Sequence, residues 1–163
     1  MRAFLRLVVV AALFAACIGS ETSRADFTGP VGDGWHTWRT ESVDGSDLEV
    51  FASIKSGRPT EIRIRSKSVC WDNFSVHAQE LGRVDTEQSI SWLQRYIVPG
   101  SDLSSDVLMA ISLHAGERPV TILANILTSA SDNKLREEAL FWLAQSDSDA
   151  AFDILDRLLS ENN

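Results

Sequence analysis

The sequence predicts an α+β chain, a small N-terminal antiparallel β-meander followed by a short α-solenoid of antiparallel helix pairs. Three observations carry that expectation. Apolar residues alternate with period two between Trp35 and Ser68; the spacing turns helical after Leu81-Gly82 and stays helical to the end; and the helical part matches itself at an offset of 30 to 31 residues.

The elements follow in order. Arg2 and Arg6 precede an uncharged apolar run over residues 7–18 that ends in small residues, the layout of an export signal. That run is shorter than the about 20 residues a permanent membrane span needs. Residues 1–25 are therefore expected to be a signal peptide, with Ser23-Arg24-Ala25 as the cleavage site and Asp26 as the mature start. Phe14-Ala15-Ala16-Cys17 resembles a lipobox, which makes Cys17 the candidate lipidation site; Phe14 stands where that motif usually has an aliphatic residue. The expected location is the periplasm or the medium, with an envelope-anchored lipoprotein as the alternative.

Residues 26–34, rich in Gly, Pro and Asp, are expected to be a flexible lead-in, and order is expected from Trp35. A β-rich lobe over residues 35–83 follows. Trp35, Thr37 and Arg39 alternate, then Leu48, Val50, Ala52 and Ile54, then Ile62 and Ile64 against Arg63 and Arg65, which predicts three half-buried strands. Val43-Asp44-Gly45-Ser46-Asp47 and Ser56-Gly57-Arg58-Pro59 supply the turns between them.

Residues 84–163 form the helical part, with helices predicted over 86–98, 103–115, 119–130, 134–145 and 149–160. Val98-Pro99-Gly100-Ser101 ends the first, Gly116 closes the second in a left-handed position, and Pro119 suits a first helical turn. Ser131 and Ser146 are the candidate caps of the last two helices. Connections this short place consecutive helices side by side. At the repeat offset Ala110-Ile111-Ser112-Leu113 falls on Leu140-Phe141-Trp142-Leu143, Leu123 to Leu127 on Ile154 to Leu158, and Trp92-Leu93 on Ile122-Leu123.

The stretch Leu135-Arg-Glu-Glu-Ala-Leu-Phe-Trp-Leu-Ala-Gln-Ser146, with Asp147 to Leu159 after it, resembles a HEAT repeat of the type found in phycobilisome-lyase-like proteins. In that family the first helix reads roughly L-R-x-x-A-x-x-x-L-G, a short acidic turn follows, and the second helix carries paired leucines; Ala144 stands at the Gly position. The resemblance implies an α-solenoid scaffold for protein partners. Some members act in bilin attachment, but no residue of this chain points to a tetrapyrrole.

The chain carries a formal charge of −8, and cleavage after Ala25 takes it to −10, which disfavours nucleic acid and anionic lipid as partners. A membrane association is expected only if Cys17 is lipidated. Residues 84–163 hold thirteen acidic and five basic side chains against seven of each over residues 35–83, so the helical half presents either a solvated outer surface or an acidic concave face that steers basic partners. Lys55, Arg58, Arg63, Arg65 and Lys67 form a basic ribbon expected to dock against it.

Catalysis has no sequence signature. No phosphate loop, nucleophile elbow, H-E-x-x-H or calcium loop is present, so neither cofactor nor metal is expected. Cys70, beside Trp71 and in the same half as His36 and His77, reads as a buried thiol, or as the reactive thiol of an accessory lyase-like subunit. His114, at a helix end, reads as a cap. Five tryptophans are many for this length; Trp142 belongs to the core face, while Trp35 or Trp38 is expected to reach a partner. The candidate partner-binding residues are Trp35, Trp38, Arg63 and Arg65 on the strands, with Glu137 and Glu138 on the fourth helix. The expected function is an exported, non-catalytic scaffold for a protein partner, with an accessory lyase-like subunit or an envelope sensor as alternatives; homodimerisation through a terminal helix is a further expectation.

Overall fold

A computed structural model describes residues 26–67 and 76–161, so the expectations for residues 1–25, Cys17 and Cys70 lie outside the described residues. The fold is α+β. Strands β1 (Gly34–Glu41), β2 (Asp47–Lys55), β3 (Arg58–Arg65) and β4 (Gln79–Arg83) precede helices α1 (Thr86–Gln94), α2 (Leu103–Ser112), α3 (Arg118–Ser129), α4 (Asn133–Ala144) and α5 (Asp149–Glu161).

The first three strands form where alternation places them. β1 pairs antiparallel with β2, and β2 with β3, so that Trp38 lies opposite Val50 and Val50 opposite Ile64. The tight connection between β2 and β3 holds Ser56 at φ 53° and Gly57 at φ 72°. Two consecutive left-handed residues match the twist of the flanking strands, and glycine adopts this conformation without strain.

The sheet is nevertheless mixed, with strand order β3-β2-β1-β4 and β4 parallel to β1. A purely antiparallel meander was the expectation; the fourth strand is short, mostly exposed and without alternation, so it left no periodic trace. Its pairing with β1 is irregular between Thr37 and Arg39, opposite Gly82 at φ 80°.

One face of the sheet is covered by helices. Leu48, Val50, Ala52, Ile54, Ile62 and Ile64 join Ile90, Leu93, Val107 and Ile111 in a single apolar cluster. The boundary expected at residues 83/84 therefore separates no cores, because the sheet's buried face is completed by α1 and α2. A second cluster, built from Leu108, Leu123, Leu135, Ala139, Leu143 and Ala151, holds α2 to α5 together. α4 touches both α2 and α3, while α5 touches α3 and α4.

Residues 26–33 are not a loose lead-in. Phe27 packs on Trp38 and Trp92 at ring-centroid distances of 5.3 and 6.4 Å, and Trp92 in turn meets Trp38 at 5.2 Å and Tyr96 at 4.9 Å. Gly29, at φ +102°, lies so close to the Trp92 ring that a Cβ would overlap it. The low apolar content of the segment concealed a single aromatic anchor.

The helix ends also reflect tertiary contacts. α2 stops at Ser112, short of the expected 115, because the next residues pair with the β1–β2 turn: Val43 N–H donates to the Leu113 carbonyl at 2.9 Å and Ala115 N–H to Glu41 at 3.0 Å. Asp132, and not Ser131, caps α4, accepting from Lys134 N at 2.9 Å and Leu135 N at 3.3 Å. Ser146 Oγ accepts from Ser148 N at 3.3 Å in the turn before α5. Gly116 is left-handed at φ 94° and Pro119 lies in the first turn of α3, both as expected.

Candidate functional site

The inward stripe of β1 carries Trp38, which sequence reasoning offered as a partner-facing residue. The structure buries it, 1% exposed, so it belongs to the core. Its indole N–H donates to Ser89 Oγ on α1 at 2.8 Å. Ser89 Oγ in turn lies 2.8 Å from His114 Nε2, and His114 Nδ1 lies 2.7 Å from the Ala110 carbonyl. A carbonyl only accepts, so Nδ1 carries the proton and Nε2 accepts from the serine hydroxyl. Every member of the chain from Trp38 to Ala110 is thereby satisfied.

The serine-histidine pair has the spacing of an activated nucleophile. Both side chains are 0% exposed, however, so no substrate reaches the hydroxyl. Burial also pushes the His114 imidazole down to about 4, against which the Ala110 hydrogen bond acts only weakly. His114 therefore does cap the end of α2, but as a neutral ring inside the core. The arrangement is a polar joint between sheet and helices, fixed by geometry and closed to solvent.

Arg63 and Arg65 alternate with the inward-facing Ile62 and Ile64, which turns them onto the sheet face away from the helices. Arg63 pairs with Glu61, while Arg65 pairs with Glu49 at 3.0 Å and lies 5.0 Å over the Phe51 ring. Strand alternation thus turns two members of the basic ribbon away from the helix-covered face, while Arg63, on the edge strand β3, still acts electrostatically on Asp106 of α2. Trp35 is half-buried.

Glu137 and Glu138 lie on α4. Glu137 is exposed; Glu138 is half-buried and accepts a hydrogen bond from Ser105 on α2. Near it burial raises the Asp106 carboxyl above the ordinary range; the hydrogen bond from the Ile62 backbone and the charge of Arg63 oppose the rise, while Glu61 and Glu138 add to it. With Trp38 in the core, the six residues singled out for partner binding do not form one exposed site.

Two surfaces remain. A cleft of about 360 Å³ between α3 and α5 is lined by Thr121, Asn125, Ile154 and Arg157, and one of about 250 Å³ beside α1 shares Asn125 and adds Gln94 and Ile97. No carboxylate lines either, so the acidic concave face expected from composition is absent from these clefts. The second surface is the outer side of the α4–α5 hairpin. There Leu140 is 43% exposed, Phe141 54% and Phe152 59%.

Sequence reasoning missed Ser89, Phe141 and Phe152. Leu135, Ala139 and Leu143 are buried at a spacing of four, and that same spacing turns Phe141 outward between them. Among the described residues no group of three or more His, Cys, Asp or Glu is placed to hold a metal ion, and no helix is long and apolar enough to cross a membrane. Comparisons with protein-family models, with characterised proteins and with solved structures found no match.

Proposed function

We propose that this chain is an exported, non-catalytic scaffold that binds a protein partner through its helical half, a short HEAT-like stack. The observation that carries this reading is the outer side of the α4–α5 hairpin, where Leu140, Phe141 and Phe152 remain exposed. Large apolar side chains grouped on one surface mark an interaction site more strongly than scattered ones do. Contacts between α2 and α4 and between α3 and α5 support stacking, since each joins alternate helices, as the layers of a repeat array require. The arginines and apolar run of residues 1–25, read as an export signal, support a location in the envelope or outside the cell.

The reading has a direct test. The mature chain from Asp26 and a Phe141→Ser/Phe152→Ser variant are each immobilised and exposed to an envelope fraction. A defined protein retained by the wild type and lost from the variant supports the scaffold. Retention indifferent to the two phenylalanines, or rapid alkylation of Cys70 accompanied by turnover of a substrate, overturns it.

A further inference from the structure

We infer that the partner segment recognised by the α4–α5 hairpin is a basic amphipathic helix. This rests on the scaffold reading above and adds the chemistry of the occupant. The apolar side chains of the hairpin are interleaved with carboxylates at helical spacing. Glu137 lies one turn before Phe141, and Asp149 and Asp156 lie one turn to either side of Phe152, so each phenylalanine has a carboxylate within about 5–6 Å along its own helix.

Glu137, Asp149 and Asp156 are all exposed, and among the described residues none of them makes an ion pair. The hairpin as a whole, residues 133–161, holds seven carboxylates against the three cations Lys134, Arg136 and Arg157. Lys134 is already engaged with Asp102 at 3.1 Å, and Arg136 with Asn133.

That pattern selects among occupants. A second copy of this chain, applied face to face, would bring carboxylates against carboxylates, which costs free energy where charges are close and partly desolvated. An anionic lipid surface is repelled for the same reason. A helix with an apolar stripe and flanking lysines or arginines satisfies both features at once: its stripe covers Leu140, Phe141 and Phe152, and its cations meet the unpaired carboxylates. The four-residue connection 145–148 sets Phe141 and Phe152 each four residues from the bend, so both lie about one helical turn from it.

The test uses the mature chain and two synthetic helical peptides, one with leucine at every third or fourth position and lysine elsewhere, the other with glutamate replacing lysine. Fluorescence anisotropy at low and moderate salt reads binding. The expected result is binding of the lysine peptide alone, weakened by salt, and weakened at least about tenfold in Phe141→Ser/Phe152→Ser. A Glu137→Gln/Asp149→Asn/Asp156→Asn variant loses most of the salt dependence. Circular dichroism confirms that both variants stay folded.

Equal binding of the glutamate peptide, with loss in the phenylalanine variant, overturns the basic partner while leaving the scaffold intact. Lysine-peptide binding indifferent to the two phenylalanines overturns the inference, being charge attraction without a docking face. Self-association that the phenylalanine variant abolishes, or partition onto anionic vesicles, assigns the face to another occupant and also overturns it. If neither peptide binds and no envelope protein depends on Phe141 and Phe152, both readings fall together.

Discussion

Acidification acts on a single titratable side chain in the joint between sheet and helices, and its burial sets the sign of the effect. His114 is enclosed by Trp38, Ser89, Ala110 and the β1–β2 turn, with no charged side chain hydrogen-bonded to it. Its folded value of about 4 lies below the ordinary 6.5, so the unfolded chain binds the proton first as pH falls. Above 6.5 the ring is neutral in both states and its contribution is complete; between 6.5 and about 4 stability is lost, and below about 4 no further loss comes from this group. At about 1.4 kcal/mol per pH unit, the total is about 3 kcal/mol.

Urea unfolding followed by tryptophan fluorescence across that window measures it, with His114→Gln as the non-titrating reference. Carboxylate titrations are common to both proteins, so the difference between the two curves isolates the imidazole. At neutral pH the variant is less stable by about 1–3 kcal/mol, because the Ser89 hydroxyl loses its partner inside the core. That advantage of the wild type shrinks as pH falls and has gone near the folded value. A difference that stays constant across the window would show that His114 is not the buried neutral ring described above.

Other perturbations are similarly defined. Trp38→Phe keeps the contacts with Phe27 and Trp92 but removes the donor to Ser89; it lowers stability by about 2 kcal/mol in urea unfolding, and an unchanged midpoint would show the bond to be worthless. Gly29→Ala drives a methyl into the Trp92 ring and detaches residues 26–33, which is read as faster proteolysis of that segment and a changed near-ultraviolet dichroism, with helices and sheet intact. Asp132→Ala removes the cap of α4 together with the bond from Gly100 N–H at 2.7 Å that holds the Asp132 carboxyl below the ordinary range. Its amides at Gly100, Lys134 and Leu135 exchange faster; in the wild type that protection is present at neutral pH and is lost as acid protonates the carboxyl.

Local periodicity determined nearly all of the secondary structure. β1 to β3 and all five helices lie within a few residues of where alternation, helical spacing and turn residues set them, because those signals record which face of each element must be buried. The same spacing buried Leu135, Ala139 and Leu143. It says what is hidden, and it does not say by what.

Tertiary structure alone decided the rest. β4 exists because β1 offers an edge, not because Gln79 to Arg83 alternate. Phe27 is anchored because Trp38 and Trp92 leave room beside Gly29, and α2 ends where Leu113 and Ala115 find partners in the β1–β2 turn. Trp35 and Trp38 were indistinguishable as indoles until the register of β1 turned one inward. Ser89 and His114, 25 residues apart, meet only when α1 and the end of α2 close over the sheet. Likewise, Phe141 and Phe152 remain exposed because the described chain lays no further helix over them. These outcomes depend on which surfaces meet across the fold, and a pattern written along one element carries no record of its neighbour.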